Sequence, residues 1–150
     1  MSLYSFILLI HILSAILGMG PGFVMIYVIS KATNLSELKH AYIIRNRLHQ
    51  FVMVGGTFLI LSGITMGIMQ PYLFYRGWYV SSIVLFLIAL SFGPFVLAPK
   101  SKPIKELLNQ HTGENIPEAY YPMAKKLFFY ERIENSIFIL IIILMVLKPF

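Results

Sequence analysis

The chain contains no cysteine. Disulfides, thiolate metal sites and cysteine nucleophiles are therefore excluded. Charge is also scarce: 12% of the 150 residues are charged, against 58% hydrophobic residues and a mean hydropathy of +0.78. That balance is too apolar for a water-soluble domain. The first apolar run lacks the basic flank and short core of a cleavable signal peptide, so it reads as a membrane span. Repeats and low-complexity segments do not stand out.

What is present is a set of long apolar blocks. A spanning helix needs about 20 apolar residues, because the hydrocarbon core is about 30 Å thick and a helix rises about 1.5 Å per residue. Four blocks are candidates, at about residues 3–30, 47–70, 77–98 and 127–147. They predict an all-α fold, a four-helix transmembrane bundle forming one integral membrane domain over residues 1–150. Its expected partner is the lipid bilayer. The net charge of +6 then reports topology, and no nucleic-acid partner is expected. Lys31, Lys39, Arg45 and Arg47 lie between the first two blocks, and Lys100, Lys102, Lys105, Lys125 and Lys126 between the last two. The opposite side carries only Arg76 and Lys148. The positive-inside rule therefore predicts an N-out, C-out topology with both long connections cytoplasmic.

Local signals refine these elements. Asn34 followed by Glu37 predicts a helix cap with its reciprocal partner, starting the second helix near Leu35. Pro21, within Gly18-Met-Gly-Pro-Gly22, predicts a kink in the first helix. The second helix should end near Pro71, with Tyr72, Tyr75, Trp78 and Tyr79 forming an interfacial aromatic belt. The third span should stop between Gly93-Pro94 and Pro99, leaving residues 101–126 as an exposed loop with some helix. The last span is the unusual one. Its apolar run after Asn135 covers residues 136–147, about 18 Å of helix, so it must carry Glu131, Arg132, Glu134 and Asn135 into the membrane.

Two histidines ride on small-residue stripes. Along the first helix the stripe is His11, Ala15, Gly18, Gly22; along the second it is His49, Met53, Gly56, Ile60, Gly63, Gly67. Both follow the four-and-three spacing of one helical face. In lipid, small residues mark close helix approach, and an intramembrane ionisable group on such a face points into the bundle. His11 and His49 are thus the candidate metal or cofactor ligands, in one site or two. Their depths favour two: an outer His11–Met66 pair, a donor set that suits haem iron or copper, and an inner polar cluster of His49 with Glu134 and Glu131. Glu131, Glu134 and Asn135 share a face. Arg47 or Arg45 could hold haem propionates at the inner end. Each feature also has a plainer reading. His11 could serve packing, bonded to a carbonyl or to Ser14. The glutamates could be an interfacial anchor paired with Arg45 or Arg47, and the glycines could simply admit a neighbouring helix.

His11, Arg47-Leu48-His49 and the glycine-rich second helix together resemble an uncharacterised family of predicted bacterial integral membrane proteins, along Leu9 to Lys100. The bacterial cytoplasmic membrane is the location this implies. A weaker likeness, carried by His11, Arg47-Leu48, Gly56 and Gly77-Trp78, is to HemJ-type protoporphyrinogen oxidases and related copper-resistance membrane domains. It implies a four-helix haem b protein in which His11 ligates the iron. Where the HemJ-type pattern places a lysine soon after Gly-Trp, this chain has Ser82. The likeness therefore implies the scaffold rather than the oxidase reaction. The expected function is a membrane protein binding b-type haem, or copper as the alternative, in redox or haem/copper handling. The competing class is a cofactor-free small transporter or accessory subunit, and a transporter of this size would need a homodimer to enclose a path.

Overall fold

In hydrocarbon no water is available to bond backbone amides and carbonyls, so the chain must satisfy them within itself, and helices do so locally. The structure is a computed structural model describing residues 1–150. Of its 113 backbone hydrogen bonds, 100 lie inside helices, and there is no strand. The helices are α1 (Leu3–Ser30), α2 (Leu35–Met69), α3 (Gly77–Phe92), α4 (Ala98–Gln110) and α5 (Tyr120–Leu147). A π turn over Gly93–Leu97 joins α3 to α4, so the bundle is built of four rods. Leu3–Ser30, Leu35–Met69 and Gly77–Gln110 are each long and apolar enough to cross a membrane. The α5 rod carries Glu131, Arg132 and Glu134, yet it buries Phe138, Ile141 and Leu144 in the same bundle.

The α1–α2 turn forms as its residue types dictate. Asn34 Oδ1 accepts the Glu37 N–H at 2.9 Å, capping α2. The Glu37 carboxylate reaches back one residue further than expected, accepting the Thr33 N–H and hydroxyl at 2.8 Å each. Those donors hold the exposed Glu37 carboxyl below its usual range. Because the folded value is lowered, this contribution is present at neutral pH and fades as acid protonates the group.

Helices α1 and α2 meet backbone to backbone. A Cβ on Gly18 would stand 2.7 Å from the Gly56 nitrogen and 2.8 Å from the Gly55 carbonyl carbon. A Cβ on Gly55 would collide with the Gly18 backbone. Gly55 lies beside the stripe seen in the sequence, and it is part of the contact because the crossing is wide enough to involve two adjacent positions of α2. Helix α1 runs unbroken through Pro21. Beside it, Asn135 of α5 donates its side-chain amide to the Gly22 carbonyl at 3.2 Å.

Three expectations are corrected. The third span does not stop at Gly93-Pro94 or at Pro99. Pro94 lacks an N–H and its ring crowds the preceding turn, and here the chain continues through a π turn, with the Ala98 N–H donating to the Gly93 carbonyl five residues back. Within residues 101–126 only 111–119 form an exposed loop; the flanking stretches are helical and partly buried. Leu97, Ser101, Ile104 and Leu108 form a four-three-four stripe buried against Leu38, Tyr42, Tyr120 and Leu127, a second core at the basic end. Tyr79, assigned to the aromatic belt, is buried and donates its hydroxyl to the Gly63 carbonyl. Tyr72 and Tyr75 are exposed as a belt requires.

The glycine crossing makes a paired prediction. Gly55→Ala should destabilise the protein by about 1–3 kcal/mol through forced overpacking, whereas Gly20→Ala, with nothing within 4 Å of its Cβ position, should change stability by less than about 0.5 kcal/mol. Thermal unfolding in detergent, followed by size-exclusion, measures both. Equal effects would show that the close approach does not support the bundle.

Candidate functional site

The glycine crossing sets an antiparallel register. Seven residues from Gly18 along α1 is His11; seven from Gly55 and Gly56 along α2 are Ser62 and Gly63. The structure joins these pairs. His11 Nδ1 lies 2.9 Å from Ser62 Oγ, and its ring covers Gly63, where a Cβ would meet the ring at 3.2 Å. The Ser62 hydroxyl lies 2.7 Å from the Phe58 carbonyl, to which it donates. A hydroxyl has a single proton, so Ser62 accepts from His11, which places the ring proton on Nδ1. Nε2 is then left with its lone pair, and no side chain bonds it. Ser62 was not identified from the sequence, which offered Ser14 as the hydroxyl partner. Its position beside Gly63, on the His11-facing side of α2, was the available signal.

His11 opens onto two adjoining cavities. One, of about 490 Å³, is walled by α1, α2, α3 and α5 and is almost wholly apolar, with Met19, Phe86, Ile141 and Met145 among its lining. The other, of about 630 Å³, extends to the aromatic end past Met66, Tyr72, Trp78, Arg76 and Lys148. His11, Ile12, Gly63, Tyr79, Met145 and Val146 line both. Met66 therefore shares a cavity with His11. Met145 does too, contributed by α5, where the sequence showed only one methionine in an apolar run.

The basic end is built around charge. Arg45 of α2 is buried and donates Nε–H to Glu131 Oε1 of α5 at 2.9 Å, with a second bond from its Nη2. Glu131 and Glu134 are 3% and 9% exposed, and Glu131 Oε2 is buried without a partner. Two buried carboxylates beside one guanidinium leave the cluster one positive charge short of neutrality if both are ionised. His49 packs against Gly93 of the π turn, its Cε1 3.5 Å from that glycine's Cβ position. No hydrogen bond or ion pair joins His49 to Glu134 or Glu131. Arg47 is exposed and Arg45 is taken by Glu131, so neither reaches the cavity of His11. His40 and His111 are exposed.

The two intramembrane histidines do not converge. His11 stands opposite Gly63, and Gly63 is 14 positions beyond His49 on α2, about 21 Å of helix. Nor does any group of three His, Asp or Glu side chains come together as a metal site. A metal bridging His11 and His49 is not possible in this arrangement; an axial His within the outer cavity is.

Residues 5–149 match the family described as "Predicted integral membrane protein (DUF2269)". The chain belongs to this family. The match covers nearly every residue and agrees with the resemblance drawn from His11, Arg47-Leu48-His49 and the second-helix glycines. It makes the chain an integral membrane protein, in keeping with three rods that are long and apolar enough to span. No curated protein and no solved structure matches the chain. The likeness to HemJ-type oxidases thus rests only on the motif residues quoted for it.

The buried ion pair yields a test. Arg45→Met leaves Glu131 without its counter-charge and should cost about 3–5 kcal/mol, while Arg45→Met with Glu131→Leu should recover most of that loss. Chemical unfolding of the two single variants and the double variant measures the coupling, and additive losses would mean the pair is not coupled.

Proposed function

We propose that the chain is a b-type haem-binding membrane protein acting in redox or haem/copper handling, with His11 as the axial ligand. The observation that carries this reading is the histidine itself. Its Nδ1 is held by Ser62, which leaves Nε2 as the other nitrogen of a ring that lines an apolar cavity. A ligating histidine is oriented in this way, its other nitrogen held by an acceptor that sets tautomer and ring angle. The bare Gly63 beside the ring leaves room that any larger residue would fill. Cavities of about 490 and 630 Å³ lie within the roughly 300–1,000 Å³ of small-molecule sites.

The donor set also fits haem better than a bare metal. One imidazole with Met66 and Met145 in the same cavity matches the His/Met ligands of electron-transfer haems. Copper has fewer nitrogen donors here than its usual sites offer. When bound, the haem iron would supply one-electron exchange. The protein's part is to hold the group with His11, exclude water with the apolar walls, and keep the imidazole proton on Nδ1. The one-sided lysines and arginines favour the basic end toward the cytoplasm. A cofactor-free transporter would instead need a polar path from Glu134 past His49 to His11, and 21 Å of mainly apolar helix face argues against it.

Purified from haem-replete cells in mild detergent, the protein should show a Soret band and sharpened α and β bands on reduction. His11→Ala should abolish them while the elution profile is kept, and His49→Ala should leave them in place. Ser62→Ala should retain haem but loosen it by roughly 10–100-fold, as removal of a ligand's outer-shell partner does. A colourless, metal-free wild type would overturn the haem reading.

A further inference from the structure

We propose that Arg76 and Lys148 hold the acidic end of the cavity's occupant, so that the site selects an amphipathic acid: an apolar body beside His11 and Met145, and carboxylates at the aromatic end. This rests on the His11 cavity proposed above and assigns the chemistry of its mouth, which the sequence had placed at Arg47 or Arg45.

Three observations meet at this place. Both cations line the roughly 630 Å³ cavity that shares its His11 wall with the apolar one. Each is braced: the Arg76 guanidinium carbon lies 6.0 Å from the Tyr72 ring centre and Lys148 Nζ 5.4 Å from that of Trp78. Neither pairs with a side-chain carboxylate. The ion pair between side chains is Arg45–Glu131, and the side-chain carboxylates, Glu37, Glu106, Glu114, Glu118, Glu131 and Glu134, belong to the basic half.

The backbone also positions Lys148. It adopts a left-handed conformation at φ 48°, with its N–H bonded to the Leu144 carbonyl at 2.9 Å, where α5 ends. The chain then turns back so that the Phe150 carbonyl accepts the Trp78 N–H at 3.0 Å. That return ties the end of α5 to the start of α3, with Lys148 over Trp78 in the cavity that Arg76 also lines. Two cations without a side-chain ion pair, at the rim of an apolar cavity near the membrane surface, complement a ligand whose carboxylates stay near water while its body enters the bundle. A guanidinium binds a carboxylate through paired N–H donors, and an ammonium adds a point charge.

The test uses protein from haem-deficient cells titrated with iron protoporphyrin IX and with its dimethyl ester, whose carboxylates are masked. The wild type should prefer the free acid on the order of tenfold by Soret titration, and less so as salt rises. Arg76→Gln with Lys148→Gln should lose that preference with the Soret position unchanged, because His11 is untouched. Arg76→Lys with Lys148→Arg should keep it. Equal binding of acid and ester by the wild type, or a preference that survives in the glutamine variant, overturns the proposal while leaving the haem reading intact. If neither porphyrin binds, the haem reading falls, and a fluorescent long-chain fatty acid and its methyl ester become the probes. An acid preference lost in the glutamine variant would then sustain the carboxylate site, and none in the wild type would overturn it.

Discussion

Everything at the candidate site follows from one steric constraint, the meeting of Gly18 with Gly55 and Gly56. Without side chains at these positions, α1 and α2 approach until their backbones touch. In lipid this contact has no hydrophobic drive behind it, since tails are as apolar as leucine; close van der Waals packing is what holds the pair. Such a contact also admits only one register. Two turns toward the aromatic end it sets His11 against Ser62 and Gly63, which fixes the ring proton and clears space beside the ring. A side chain at the crossing would misplace the histidine even if both helices formed.

The same low dielectric governs the other end. Helix α5 is too short in apolar residues to cross alone, so it enters with carboxylates that must be answered. Arg45 answers Glu131, which locks α5 to α2, and Asn135 adds a bond to α1 at Gly22. The bundle therefore has two chemically different ends. One is a packed core roofed by α4 and carrying the carboxylates; the other is an open cavity rimmed by aromatic rings and two cations.

Much of this was legible in the residue order. The Asn34 cap, the inward face of Glu131 and Glu134, and the His11 glycine stripe are local patterns, and local patterns survive folding. The third rod's length is not legible locally, because a proline signals a stop whether or not the helix continues past it. Whether a proline ends a helix or is absorbed by a π turn depends on what the following segment can bury. Here Ile104 and Leu108 find Leu38 and Leu127 across the bundle. Tyr79 was misplaced for a related reason: an aromatic near the interface faces outward or inward according to the space a neighbour leaves, and Gly67 leaves it.

The amino-acid order alone was sufficient for an integral membrane bundle, its four rods and the residues with reactive groups, because hydrocarbon imposes length, periodicity and charge placement on every span separately. It was not sufficient for pairing. That Arg45 meets Glu131, that His11 gives its proton to Ser62 rather than Ser14, that His49 lies a helix's length away, and that Arg76 and Lys148 share a rim all depend on helix register. Register is a property of two helices in contact, and no single helix encodes it.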